Sequence, residues 1–400
     1  MKRFIHVLLI ALLAMLGVGA GGCSSSRGYS ASVDASYGYS DYDDEDYYYG
    51  SLDRYGTWVE VSTYGQVWCP LDVSAGWRPY TVGSWAYTDY GWMWIADDPW
   101  GNVPYHYGRW TFDSYYGWVW VPGDVWGPAW VSWRYGDGWA GWAPLPPDVD
   151  WRVGIGFSLN AYALDSRIDA YRWCFVPASQ LTSRSIATRV VPPSRNVTYI
   201  PITQNVTNYT VINSQPAERG LRPEMIERDT GRRITPYRVV ESRTPRGRRG
   251  AEIRGQNIEV YRPPAAVETR ARDRARSQQR ERVAPPRQLI QRQEVEQRRF
   301  EERMQSERIQ LEREHQRELR QPPRGVSREE LTRRQEAEMQ AQKERETRER
   351  TAIDERTKRL KQRANDQDRE NPNRGRGRGN QNNNQNRGRD RNEDRENTDE

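Results

Sequence analysis

Few side chains in this sequence are placed to do acid–base, nucleophilic or metal chemistry. Asp97 and Asp98 form the one adjacent carboxylate pair in the aromatic part of the chain. Glycoside hydrolysis needs two acids about 5 Å or more apart across a cleft, with their pKa values pushed apart. Neighbouring acids ahead of Pro99 point in different directions and fit a turn instead. A His-based metal site or a Ser–His–Asp triad would rest on His106, because His6 lies in the leading apolar segment and His315 in a run of Glu and Arg. Between Tyr105 and Tyr107, His106 reads as a strand residue. No G-x-S-x-G, H-E-x-x-H or paired C-x-x-C occurs, and no Gly-rich phosphate loop precedes a helix. The sequence predicts no catalytic residue, no metal and no cofactor, and hence a non-enzymatic protein.

The chemistry it does favour is contact by flat rings. All 17 Trp fall between Trp58 and Trp173, and residues 51–150 hold 15 Trp, 10 Tyr and Phe112. Leu, Ile and Met number only five in that window, so some rings must fill the core. An aromatic side chain buries about 150–250 Å², and a hundred-residue sheet is not expected to hide them all. Rings left exposed beside acidic residues would mark a binding face. Flat rings suit the apolar faces of sugars, while Tyr and Asp suit their hydroxyl groups. Trp92 and Trp94, like Trp118 and Trp120, lie two apart and share one face of a strand. With Tyr90 and Tyr116 they are the candidate ligand-binding residues. Trp58, Trp85 and Trp110 are expected to be core.

The elements that position these rings follow from a repeat. Trp58, Trp85 and Trp110 each come two residues after a Gly (56, 83, 108). Tyr64-Gly65, Tyr90-Gly91 and Tyr116-Gly117 recur 26 residues apart, as do Trp68, Trp94 and Trp120. The first copy departs at Gln66, where the others carry Trp92 and Trp118. Strand-forming Trp, Tyr and Val around a Tyr-Gly turn make each unit a β-hairpin. "AWVSWRY", the turn Gly136-Asp137-Gly138 and "WAGWAP" add a fourth. About eight short strands are therefore expected in a meander, closed by "PLPP", as a small antiparallel sandwich or barrel.

"GSWAYTDYGWMWIADDPWGNVPYHYGRW", with "VPGDVWGPAWVSWRYGDGWAGWAPLPP", resembles a family of exported, Trp-rich bacterial proteins of unknown function. The resemblance covers roughly residues 50–180 and, through "CFVP" and "NVTYI", reaches towards 215. It implies the hairpin domain and brings no activity with it. More loosely, the array is similar to the aromatic repeats by which some surface proteins bind cell-wall polymers, although those have shorter periods.

The first residues set the compartment. Lys2 and Arg3 precede an apolar run, Phe4 to Leu16, too short to span a bilayer. Ala20-Gly21-Gly22-Cys23 then resembles a bacterial lipoprotein signal, with Ala20 where that family usually carries a larger aliphatic residue. This makes residues 1–22 a removed signal peptide and Cys23 the lipidated residue. Ser24 follows in place of the Asp that retains such proteins in the inner membrane, so outer-membrane sorting is expected. In an oxidising periplasm the remaining pair, Cys69 and Cys174, reads as a disulfide; the alternative is two buried thiols.

Beyond residues 51–180, taken as the repeat domain, 181–215 reads as a short β extension and 216–286 as an Arg/Pro-rich linker, mostly extended or disordered. An acidic Tyr/Ser/Asp linker, 23–50, precedes the domain. Residues 287–366 form charged helices, with i,i+4 pairs such as Arg303/Glu307 and Arg308/Glu312 and a capping box at Ser327/Glu330. Val295, Phe300, Met304, Leu311 and Leu319 never settle into a heptad, favouring a solvated single helix over a coiled coil. The last segment, 367–400, is low-complexity and reads as disordered. Its "RGRGRG" looks like an RNA-binding tract, but an exported lipoprotein meets no RNA, so no nucleic-acid partner is expected. Arg could instead touch anionic envelope polymers such as lipopolysaccharide phosphates.

The fold class expected is thus an all-β N-terminal domain of antiparallel hairpin repeats followed by a long charged helical and disordered tail. Two functions fit. One is a lipid-anchored envelope module that binds a cell-wall or surface glycan, such as peptidoglycan, through its rings. The other is a structural envelope protein whose rings serve core packing and protein–protein contact.

Overall fold

The computed structural model describes residues 51–370, except 75–76, 114–115, 150, 153–155, 158–160, 243–250, 263–285 and 324. The signal segment, Cys23, the acidic linker and the chain after 370 lie outside the described residues.

A hairpin forms wherever the repeat places one. β1 (Gly56–Val61) pairs with β2 (Gly65–Pro70), and β3 (Gly83–Thr88) with β4 (Gly91–Ala96). The short helix α1 (Asn102–His106) leads to β5 (Arg109–Asp113), which pairs with β6 (Gly117–Val121). β7 (Val131–Gly136) and β8 (Trp139–Pro144) make the fourth hairpin. The Tyr-Gly turns reverse the chain because Gly65, Gly91 and Gly117 adopt φ of +69°, +92° and +78°, a region that glycine enters without steric cost.

Register explains the rest of the motif. Trp58 faces Trp68, Trp85 faces Trp94, Trp110 faces Trp120 and Trp133 faces Trp142. Two columns of the repeat are therefore one cross-strand pair, the contact unit that stabilises a sheet. Room for that pair comes from the Gly two residues ahead of the first Trp. A Cβ on Gly56 would lie 2.1 Å from Trp68 Cε2, inside the indole. Gly56→Ala is expected to cost at least about 1–3 kcal/mol, as overpacking does. The check is a lower urea midpoint at unchanged slope; an unshifted midpoint would mean that the ring moves aside freely.

The hairpins do not join into one continuous meander or a closed barrel; they form small antiparallel sheets. β2 pairs with β6 through the Trp68–Trp120 partners, giving the four-stranded sheet β1-β2-β6-β5, while β3–β4 stands as its own two-stranded sheet. The aromatic pairs of all four hairpins converge on one cluster.

After the repeats come β9 (Trp151–Arg152), β10 (Gly156–Phe157), α2 (Ala161–Asp165), β11 (Cys174–Pro177) and α3 (Asn196–Ile202). Then follow β12 (Gln204–Asn205), β13 (Tyr209–Ile212), β14 (Gln215–Glu218), α4 (Pro223–Thr230), β15 (Arg238–Ser242), β16 (Ala251–Arg254) and β17 (Asn257–Tyr261). β11 and β12 flank the fourth hairpin to give the sheet β11-β8-β7-β12. The extension begins as a helix rather than a strand. The Asn196 side-chain amide donates to the carbonyls of Ala170 (2.7 Å) and Trp173 (2.8 Å), and Tyr199 is buried, so tertiary contacts override the strand preference of the Val, Thr, Tyr and Ile in "NVTYI". Nor is 216–286 wholly a linker. Its isolated apolar residues Leu221, Ile226, Ala251, Ile258 and Val260 are buried in the main cluster.

The C-terminal helices α5 (Pro286–Arg320) and α6 (Arg328–Glu370) form as expected, and Ser327 Oγ accepts the Glu330 amide at 3.1 Å. They are not solvated singly. Arg303 donates to Glu349 (2.7 Å), Arg308 to Glu346 (2.6 Å) and Arg345 to Glu307 (2.6 Å), pairs that make α5 and α6 an antiparallel hairpin. Phe300, Met304 and Ile353 pack inside it. Charges that look like i,i+4 ladders in sequence thus reach across to the neighbouring helix.

Candidate functional site

The rings expected to face a ligand are the core. Trp92, Trp94 and Trp120 have 0% exposure, and Tyr90 and Tyr116 are buried too. Only Trp118 of that set is half-buried. Trp58, Trp85 and Trp110 are core, as the repeat predicts. Across the chain, Trp118, Trp139 and Trp151 are half-buried and every other Trp is buried.

Long-range acceptors make this possible. Trp92 Nε1 donates to the Leu221 carbonyl (2.9 Å), Trp120 Nε1 to Tyr107 (2.7 Å), Trp68 Nε1 to Leu52 (3.1 Å) and Trp142 Nε1 to Tyr80 (3.0 Å). The indole N–H groups of Trp85, Trp94 and Trp133 have no hydrogen-bond acceptor among the described residues. They lie in an aromatic stack instead, with Trp85 centred 5.0 Å from Trp94 and 4.7 Å from Trp133. Edge-to-face and tilted packing of this kind adds to the stabilisation from buried area.

Among the ionisable groups buried in this body are His106, Asp98 and Glu218. His106 ends α1 rather than lying in a strand; its Nδ1 is 2.9 Å from the Gly127 carbonyl and its ring stacks on Trp126. Burial pushes its pKa down to about 4, which keeps it neutral. Asp98 is buried, accepts from the Tyr105 hydroxyl at 2.7 Å and is pushed up by burial to about 6. Asp97 is exposed, so the pair divides between core and solvent and does not span a cleft. Glu218 is buried and accepts the backbone N–H of Gly220 (2.7 Å), Asn208 (3.2 Å) and Leu221 (3.4 Å). Burial pushes its pKa up to about 7. "QPAERG" gives no sequence signal for this role, because the Asn208 amide and the Gly91 backbone that pack on Glu218 come from other segments.

The expected disulfide is absent. Cys69 packs on the outer face of the four-stranded sheet with Val59, Val67 and Val119, whereas Cys174 faces Trp142 in the main cluster. Burial pushes the Cys174 thiol up, so it is inert in the folded chain.

A cleft of about 100 Å³ lies between the sheet and the helical hairpin, and larger open grooves of about 950 and 650 Å³ run along the charged helices themselves. Phe112 and Trp118 line the cleft from the sheet, and Phe300, Ile353, Arg299 and Arg303 from the helices. The Arg172 guanidinium lies 3.8 Å over the Phe112 ring and 5.2 Å from that of Trp118. Pockets for organic ligands run to roughly 300–1,000 Å³, so this cleft suits a few waters. Among the described residues no cluster of metal-ligating side chains occurs, and no helix is long and apolar enough to cross a membrane.

Residues 49–149 match a family of unknown function (DUF6600). The four hairpins, from Gly56 to Pro144, fall inside the match. The repeat region is therefore similar to an uncharacterised family, over a span that holds the repeats and is shorter than the expected resemblance over residues 50–180. No curated protein and no solved structure matches the chain.

Proposed function

We propose that this chain is a non-enzymatic structural protein of the cell envelope, whose aromatic repeats form the core of a body that carries a charged helical hairpin. The observation that carries this reading is the complete burial of Trp92, Trp94 and Trp120. A ring with no exposed surface cannot stack on a sugar, and unfolding it from the core would cost several kcal/mol. What these proteins offer to partners is then the charged exterior. The glycan-binding reading keeps one ring of the expected ridge, Trp118, beside a cleft too small for a sugar.

The test is retention of the full chain on purified peptidoglycan and lipopolysaccharide, with Trp fluorescence read against soluble wall fragments. Expected are no saturable fluorescence change and, on lipopolysaccharide, retention that falls steeply with salt, as exposed charge contacts do. Saturable, salt-resistant retention lost in Trp118→Ala would favour the glycan module instead.

Attachment is proposed through Cys23. Several acyl chains together anchor stably, at about 0.8 kcal/mol per buried CH₂. Cys23→Ser should shift the protein from the detergent-extracted to the soluble fraction; a variant still needing detergent would remove the anchor from this reading.

A further inference from the structure

The four-stranded sheet β1-β2-β6-β5 has apolar side chains packed against both of its faces. Its inner face carries Trp58, Trp68, Trp110 and Trp120 into the main cluster. The alternate residues Val59, Val61, Val67, Cys69 and Val119 form an aliphatic outer face, and the helical hairpin covers it. Only Leu360 of α6 is fully buried against that face, with Ile290 of α5 packed beside it.

What holds the hairpin elsewhere is polar. Arg195, 6% exposed and immediately ahead of α3, bonds carboxylates from both helices: Glu314 (2.8 Å) and Glu318 (2.7 Å) on α5, and Glu338 (3.4 Å) on α6. Glu338 also takes the Thr198 hydroxyl and lies 2.8 Å from His315 Nε2, while Arg334 donates to Glu318 at 2.9 Å. Other bonds to the body include Tyr171 to the Ala341 carbonyl, Arg348 to Asp169, Arg299 to the Val73 carbonyl and Arg356 to that of Asp113. Polar interfaces with little apolar area open more readily than a continuous core.

We propose that the hairpin is a releasable strap, held over the aliphatic outer face of the sheet chiefly by the Arg195 ion cluster. Opening it would uncover that face while the aromatic core stays folded. Removing Arg195 leaves Glu314, Glu318 and Glu338 crowded around Arg334 and the His315 ring, an imbalance of charge that favours release.

The two thiols report the event separately, because Cys69 lies under the strap and Cys174 in the core. The full chain, reduced and folded, is treated with a maleimide and the modified cysteine identified by mass. Wild type should label slowly at both. In Arg195→Ala, Cys69 should react on the order of a hundredfold faster, which is the rate equivalent of losing part of a buried ion cluster, with Cys174 still protected. Equal acceleration at both thiols would mean general loosening, and no acceleration at Cys69 would mean that the ion cluster is not the latch; either result overturns the proposal. Hydrogen exchange on the unaltered chain provides the second measurement. Amides of α5 and α6 should exchange together through an opening that leaves β3–β4 and β7–β8 protected, and equal protection throughout would also overturn it.

Discussion

Trp92→Ala is expected to destabilise the protein by about 3–5 kcal/mol, the range for large-to-small changes in a core. Trp118→Ala, one repeat later at the same position, should cost only about 1 kcal/mol. Sequence alternation alone treats the two as equivalent members of an exposed ridge, whose joint removal would leave melting nearly unchanged. Their surroundings separate them. Trp92 is fully buried, meets Tyr87 at 5.4 Å and Trp133 at 6.1 Å, and donates to the Leu221 carbonyl at 2.9 Å. Its loss leaves both a cavity and an unpaired carbonyl. Trp118 is half-buried at the edge of the cleft, with Phe112 5.7 Å away. Urea unfolding of each single variant checks the contrast. Equal midpoints for the two would show that the second strands of the repeats share one environment, contrary to the structure.

Glu218 should make stability fall as pH rises from about 4.5 to about 7. In that window the folded chain keeps a proton on Glu218 that the unfolded chain has released. The folded state therefore binds more protons, and raising the pH favours unfolding. At about 1.4 kcal/mol per pH unit between the two pKa values, the loss is on the order of 3 kcal/mol. Asp98, pushed up to about 6, acts in the same direction over a lower range. His106 acts oppositely: its folded pKa of about 4 lies below the ordinary value, so its contribution is present at neutral pH and lost on acidification. The clean measurement is a difference. Glu218→Gln keeps an oxygen for the Gly220 and Asn208 amides and cannot ionise, so it should gain on wild type between pH 5 and 8. A difference that stays constant across that range would show that Glu218 is not protonated in the fold.

The sequence by itself determined what is local. Tyr-Gly turns needing positive φ, a Trp two residues after a Gly, and Ser327 ahead of Glu330 are short-range instructions, and the hairpins and the start of α6 form where they stand. It also marked Trp58, Trp85 and Trp110 as core. Alternation established that Trp92 and Trp94 share a face, but it carries no information on what lies over that face. That was decided by partners far along the chain. Leu221 closes over Trp92 across 129 residues, Arg195 gathers Glu314, Glu318 and Glu338, and Leu360 covers Val59 and Cys69. Each partner lies in a segment whose composition reads as linker or solvated helix, because one buried side chain among many charges leaves no periodic signal. Burial on the second face of a strand, and with it the fate of the aromatic array, is a property of the tertiary structure alone.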